Sequence, residues 1–339
     1  MNSSIELNSI ETLKSGKNLL AFSGGVDSSA LFFLLIEHKI EFDIALVNYQ
    51  VRKESILEED YAKSLAKEYN ILAHTIKAPQ FNSNFEKMAR DFRYSYFEKL
   101  IEKFKYQNLI TAHQLNDQLE WFLMRLTKGA GLVELIGFNK VSKREKYNIV
   151  RPILDISKDE LLEYLNSKRY RYFIDKTNSD MKYERNLFRE KFSNSLIKDY
   201  KDGILRSFQY LQKDKETLLS YYREFFNHKK LYIIEITDIR VKTRAIDIYL
   251  KKLGYLLSSA QRANIEQKSS LVIGGLWAIE SMDKLLFIAP YIKTPMPKKF
   301  REECRVIKIP PKVRGYIYSE GILDKLKDRI SIYLKLSIN

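Results

Sequence analysis

Asn18-Leu19-Leu20-Ala21-Phe22-Ser23-Gly24-Gly25-Val26-Asp27-Ser28-Ser29 joins a short, mostly apolar run to two adjacent glycines, and a second apolar run over residues 30–36 follows. The pattern predicts a strand, a tight turn and a helix N-terminus. Such a turn suits anions. Without Cβ atoms at Gly24 and Gly25 the backbone can present several N–H groups to a phosphate, and the helix dipole adds its positive end. Ser23, Ser28 and Ser29 can add hydroxyl donors. The ordinary phosphate loop carries a lysine directly after its last glycine; none follows here, so a pyrophosphate rather than a transferring γ-phosphoryl is the expected guest. Asp27 stands in the first helical turn instead, where a carboxylate suits a Mg²⁺ bridging to phosphate oxygens. The alternative is an ordinary helix-start acid.

Outward from this loop, residues 18–152 alternate apolar runs with helical spacing. Candidate strands fall at residues 18–23, 43–49, 71–76 and 108–113, with a fifth at 147–151. Between them Ala62, Leu65, Ala66 and Tyr69 recur at i, i+3, i+4 and i+7, and residues 85–104 behave likewise. The expected fold class is α/β: a doubly wound, mainly parallel sheet with helices on both faces and ligands beyond the strand C-termini. In the stretch 109–131 a strand ends at His113, and a helix from about Asn116 puts Asp117, Glu120 and Met124 on one face. Two carboxylates one turn apart at a crevice mouth could hold an ammonium group or a metal, or could simply complement the helix dipole. Further along, Arg185 and Arg189 lie four apart on another predicted helix. The pair can clamp an RNA phosphate, steady the charge of an adenylation transition state, or bond to local acids such as Glu184 and Glu190.

The chain has 339 residues, 45% hydrophobic and 13% aromatic, enough for a full core and two domains. No apolar run approaches the ~20 residues of a membrane span, and residues 1–17 lack the charged-then-apolar layout of a signal peptide. A soluble protein with a cytoplasmic location is the expectation. Cys304 is the sole cysteine, which excludes an internal disulfide framework or a cysteine-rich metal site. The net charge of +15 is uneven: residues 211–339 carry +11 of it. That excess suits a polyanionic partner, or a solvated lysine-rich surface.

The loop resembles the Ser-Gly-Gly-x-Asp-Ser loop of the N-type ATP pyrophosphatases, the PP-loop superfamily with the adenine nucleotide alpha hydrolase-like fold, whose members split ATP between its α and β phosphates to adenylate a substrate. The 109–131 stretch narrows the resemblance to the tRNA(Ile)-lysidine synthetases. That family runs Ala-His-His-x-Asp-Asp-Gln-x-Glu-Thr, then Leu-Met-Arg-Leu and Gly-x-Gly. Ala112, His113, Asp117, Gln118, Glu120, the run Leu123-Met124-Arg125-Leu126, Gly129 and Gly131 fit. Asn116 replaces the first aspartate and Trp121 the threonine. Arg151-Pro152-Ile153-Leu154 resembles the family's Arg-Pro-Leu-Leu, residues 175–190 resemble its Asp-x-Ser/Thr-Asn and Arg-Asn-x-x-Arg, and Arg90, Arg93 and Tyr94 fit its Arg-x-x-Arg-Tyr. Asn48-Tyr49-Gln50-Val51-Arg52 departs from the family's Asp-His-Gly-Leu-Arg, with Arg52 alone identical.

The resemblance, which spans roughly residues 16–200, implies an ATP-dependent ligase. It would join L-lysine to C2 of the wobble cytidine of a CAU-anticodon tRNA(Ile), through an adenylated cytidine. It implies ATP contacts from Ser23, Gly24, Gly25, Val26, Asp27, Ser28, Ser29, Arg52 and His113, with Mg²⁺ at Asp27. Asp117 and Glu120 would bind lysine, and Asp27, Asp117, Glu120 and Arg189 would serve catalysis. Arg151, Arg185, Asn186 and Arg189 would meet tRNA, with Lys298, Lys299 and Arg301 touching its backbone, joined by Arg305, Lys308, Lys312 and Arg314. Thiolating relatives need cysteines that a lone Cys304 cannot supply, and amidating relatives need an ammonia source. Another adenylating tRNA enzyme, or a non-catalytic basic RNA-binding relative, are the remaining alternatives. Residues 1–205 would form the catalytic domain, 206–230 a helical linker within a helical pattern reaching residue 228, and 231–339 a smaller C-terminal tRNA-binding part. Its last basic section, punctuated by Pro295, Pro297, Pro310 and Pro311, reads as short strands plus a helix over 322–336. Whether two copies pair as a homodimer is left open.

Overall fold

A computed structural model describes residues 5–50, 54–81, 84–174 and 183–336. The chain divides into two units, Met1–Gln212 and Lys213–Asn339.

The first unit runs α1 (Ile10–Lys14), β1 (Asn18–Ala21), α2 (Val26–Glu37), β2 (Asp43–Asn48), α3 (Glu54–Glu68), β3 (Ala73–Lys77), α4 (Phe85–Phe104) and β4 (Asn108–Ile110). It continues with α5 (Leu115–Leu126), α6 (Leu132–Leu135), β5 (Val141–Lys143), β6 (Asn148–Val150), α7 (Lys158–Lys168), α8 (Glu184–Phe188) and α9 (Asn194–Ser220), the last of which runs on into the second unit after Gln212. The sheet order is β3-β2-β1-β4-β6-β5, parallel except for β5, which closes a hairpin on β6. Apolar residues on both sides of each central strand explain the parallel sheet, which must be covered twice. Leu20, Ile44, Ile110 and Val150 join a core with α2 and α7, whereas Leu19, Ala45, Leu109 and Ile149 meet Phe97, Leu100 and Ile101 of α4. Three asparagines, Asn18 and Asn108 buried and Asn148 half-buried, pin the register. Asn18, Asn108 and Asn148 stand opposite one another at the strand starts; Asn108 Nδ2 donates to Asn18 Oδ1 (2.9 Å) and Asn148 Nδ2 to Asn108 Oδ1 (3.0 Å). A one-residue slip would orphan these amides and turn every core residue outward. The chain leaves β1 for β2 on one side and returns to β4 on the other. The crevice beyond the carboxyl ends of β1 and β4 is therefore the expected ligand position.

The second unit holds β7 (Tyr222–His228), β8 (Leu231–Ile236), α10 (Lys242–Lys252), α11 (Ser259–Gln267), β9 (Ser270–Ile273), β10 (Trp277–Met282), β11 (Leu285–Pro290), α12 (Lys298–Val306), α13 (Arg314–Ser319) and α14 (Leu323–Leu336). Its antiparallel sheet, ordered β7-β8-β11-β10-β9, is packed on both faces. Ile234, Ile279 and Ile288 meet α10 and α11; Ile233, Phe287 and Ala289 meet α12, α13 and α14.

Two expectations are corrected here. The predicted helical pattern to residue 228 ends at Ser220, and residues 222–228 are the edge strand β7, so residues 206–230 belong partly to each unit rather than forming a separate linker. The final basic section holds no strand among the described residues: residues 291–297 are irregular, α12 and α13 stand where short strands were expected, with buried Cys304 on the apolar stripe of α12, and α14 agrees with the helix expected over 322–336. Among the described residues, no helix is long and apolar enough to cross a membrane.

Candidate active site

The glycine loop follows β1 as predicted. Gly24 has φ +76°, in the left-handed region that a side chain disfavours, and its carbonyl accepts from the Phe173 amide at 2.9 Å. Gly25, the N-cap of α2, forms a parallel bridge with Phe173. A Cβ on Gly24 would come within 3.3 Å of the Phe173 ring, whereas one on Gly25 would meet only the Ser23 hydroxyl, to which the Gly25 amide donates at 3.4 Å. Ser28 braces the loop from within: its Oγ accepts from Ser23 N (3.2 Å) and donates to Gly25 O (3.2 Å).

Val26 and Asp27, in the first turn of α2, face a cavity of ≈ 560 Å³ lined also by Ser23, Gly25, Asn48, Tyr49, Arg90, Arg93, Tyr94, His113, Asp117, Lys158, Phe173 and Arg185. Asp27 Oδ1 is buried and has no hydrogen-bond partner among the described residues. Burial first, then the neighbouring Asp117 carboxylate, pushes the Asp27 carboxyl up to about 7, against the lowering fields of Lys158 and Arg189. An orphaned acceptor at a helix N-terminus is what a Mg²⁺ held chiefly by phosphate oxygens and water requires of a protein, so the residues fit that ion. They offer it one carboxylate: no cluster of three or more His, Cys, Asp or Glu ligands occurs among the described residues.

On the other side of the crevice, β4 ends before Thr111 and His113. Thr111 Oγ1 lies 2.9 Å from His113 Nδ1. Burial lowers the His113 imidazole to about 4, so the ring is neutral at pH 7. Gln114 then caps α5 in a reciprocal box with Asp117. Asp117 and Glu120 lie on one face of α5, as predicted, and neither is free. Arg185 Nη2 donates to Asp117 Oδ1 (2.6 Å) and Arg185 Nε to Glu120 Oε2 (2.8 Å); Arg189 Nε donates to Glu120 Oε1 (2.6 Å) and its Nη2 to Glu120 Oε2 (3.0 Å). Burial alone would raise the Asp117 carboxyl, but Arg185, with His113, the Gln114 amide and Arg189, holds it below the ordinary carboxylate value. The Glu120 side chain is 0% exposed and the Arg185 side chain 42%. Only Asp117 of the acid pair and Arg185 of the arginine pair line the cavity; Glu120 and Arg189 brace them from behind. A π-helical turn at Arg189–Ser193 joins α8 to α9 and fits both arginines against α5.

Comparison with known proteins adds the decisive observation. A PP-loop domain family model matches residues 2–196. A tRNA(Ile)-lysidine synthase of Campylobacter jejuni is 45% identical over 311 residues, covering 91% of this chain and 95% of that protein. Synthases of the same name from Wolinella succinogenes (42% identical; 95% and 99% covered) and Helicobacter pylori (43%; 94% and 94%) align equally fully. The chain belongs to the tRNA(Ile)-lysidine synthase family.

Several residues expected to serve lysidine synthesis sit elsewhere. Ser29 is fully buried behind the loop and does not line the cavity, because three positions into α2 the helix has turned toward the core. Arg151 is buried: Nη1 donates to Asn139 O (2.7 Å) and Ser142 Oγ (2.9 Å), and the guanidinium lies over Phe138, so in this structure it fastens the β5–β6 hairpin. Asn186 is buried too. Lys312 and Arg314 are tied down, to Ser270 and the Ile309 carbonyl. Lys298, Lys299 and Arg301 are exposed on α12, without an ion pair among the described residues. Arg52 lies outside the described residues, as do 175–182.

The departures from the lysidine synthetase pattern have structural roles. Asn48 donates to Glu59 (2.8 Å) and accepts from the Gln50 amide (2.9 Å), which shapes the cavity wall with Tyr49. Asn116 Oδ1 accepts from the Lys158 amide and its Nδ2 donates to Asn194, each at 3.2 Å; a carboxylate could do only the first. Trp121 Nε1 donates to the Glu134 carbonyl at 2.8 Å. The site residues that sequence reasoning missed are Lys158, Phe173 and Tyr49. For Lys158 a signal existed, since Ser157-x-x-Glu160 spells a capping box that places the next residue at a helix start.

Proposed function

We propose that this enzyme ligates L-lysine to C2 of cytidine 34 of a CAU-anticodon tRNA(Ile), consuming ATP and releasing AMP and pyrophosphate. The observation that carries the proposal is the shared cavity: a glycine loop suited to phosphates and Asp117, the cavity-lining member of a buried acid pair, face one space, in a chain with lysidine synthases among its relatives.

The loop backbone and the positive end of α2 hold the phosphates. Bound at Asp27, Mg²⁺ would neutralise phosphate charge. The C2 oxygen of the extruded cytidine attacks the α-phosphorus; that P–O bond forms as the bond to pyrophosphate breaks. The lysine ε-ammonium gives one proton to solvent, the free amine attacks C2, and the C2–O bond breaks so that AMP leaves with the former C2 oxygen. With an ordinary pKa of about 10.4 the amine arrives as ammonium. Asp117, held ionised, supports the reading of an ammonium anchor and is a poor proton acceptor for the same reason. The part-exposed Arg185 beside it supports a contact with the phosphate of the adenylated cytidine, made in addition to its bonds to the acid pair. Lys298, Lys299 and Arg301 give tRNA phosphates a sequence-independent hold. A thiolating reaction is disfavoured: Cys304 is buried in the second unit, and burial pushes its thiol up to about 11.

Incubation with ATP, radiolabelled lysine and an unmodified tRNA(Ile) transcript is expected to put label into tRNA with matching release of AMP and pyrophosphate. Label from glutamine or sulfide instead, or ATP consumption that does not require lysine, would overturn the assignment.

A further inference from the structure

We propose that the ammonium group of Lys158 grips the β- and γ-phosphates of ATP from the wall facing the glycine loop, supplying from another helix the cation that this loop lacks. The inference rests on the ATP-consuming reaction proposed above and adds a binding residue to it.

The loop's own charge is negative. Its charged side chain is Asp27, and a polyphosphate brought beside a carboxylate needs positive charge nearby. Of the other cations lining the cavity, Arg185 is engaged by the acid pair, Arg90 lies over the Tyr94 ring and Arg93 acts on the Tyr49 hydroxyl. Lys158 lines the same cavity, acts electrostatically on Asp27, and makes no ion pair among the described residues. Its position is built rather than incidental. Lys158 is the first residue of α7, whose start is fixed by the Ser157–Glu160 capping box, and its amide donates to Asn116 Oδ1 at 3.2 Å. Glu160, which could otherwise draw the ammonium away, is taken by Lys201 at 2.5 Å. α2 and α7 contribute to the same core, so the first turns of both helices open on one cavity and both dipoles favour an anion there. In this arrangement Asn116 is a positioning residue: it ties the start of α7 to α5 and, through Asn194, to α9.

Calorimetric titration of the full chain in Mg²⁺ buffer with ATP, inorganic pyrophosphate and AMP tests this. Lys158→Met is expected to weaken ATP and pyrophosphate by about tenfold or more, the scale of one charged hydrogen bond, and to leave AMP within about twofold. Lys158→Arg should restore most of the loss, and the KM for ATP should rise more than kcat falls. Unchanged ATP and pyrophosphate binding in Lys158→Met would overturn the proposal, as would an equal loss of AMP, which would mean a deformed cavity. A parent protein that binds no ATP would overturn both this inference and the proposed reaction, whereas a parent that binds ATP beside an equally competent Lys158→Met defeats only the former.

Discussion

Asp27→Asn is expected to lower pyrophosphate release by about 10²–10³-fold while leaving the first unit more stable than the parent at pH 8. The Asp27 carboxyl is buried, its Oδ1 has no partner, and its folded-state value is raised from the ordinary 3.8 to about 7. In the unfolded chain the group loses its proton near 4; in the folded protein it keeps it until about 7. Between those values the native state binds the extra proton, so stability falls as pH rises and the loss is complete above about 7. The amide keeps the shape and removes the charge, which flattens the profile across that window. Urea denaturation at pH 4, 6 and 8, followed by Trp121 fluorescence in a Trp277→Phe background, reads it. A variant less stable than its parent at pH 8, or one that releases pyrophosphate at the parental rate, would remove Asp27 from the reacting machinery.

Glu120→Ala should cost about 3–5 kcal/mol and abolish lysine-dependent turnover. Both oxygens of the buried Glu120 carboxylate accept from guanidiniums, so truncation leaves the largely buried Arg189 with only the more distant Asp117, at 3.9 Å. The cost lies in the stranded charge more than in the lost attraction, and the double variant Glu120→Leu with Arg189→Met tests that distinction. It should recover much of the stability without recovering turnover. A single variant within about 1 kcal/mol of the parent would show that the arginines find water or another acid.

Much of this was legible because local chemistry dictated it. Adjacent glycines followed by Asp27 mark the loop, apolar strands buried on both faces mark the parallel sheet, and a spacing of three puts Asp117 and Glu120 on one side of α5. What resisted was long-range. That Arg185 and Arg189 answer Asp117 and Glu120 rather than Glu184 and Glu190 depends on how α8 docks, which no spacing encodes. Arg151 looked like a surface cation because its partners, Asn139 and Ser142, belong to a hairpin without clear periodicity. The strand β7 passed for helix because Leu218, Tyr222, Phe225 and Phe226 satisfy helical spacing, while an irregularity between Glu224 and Phe226 hides the alternation of a strand.

The bridge from Gly24 and Gly25 to Phe173 sets an order of events during synthesis. β1, β2 and β4 can pair soon after they leave the ribosome, which at about 5–20 residues per second means many seconds of waiting for the rest. Throughout that interval the turn after β1 has no Phe173 to fix it, and Asp117 and Glu120 have no arginines. A nascent chain therefore carries the loop sequence before the residue that bridges it and the arginines that pair with its neighbouring acids have been made.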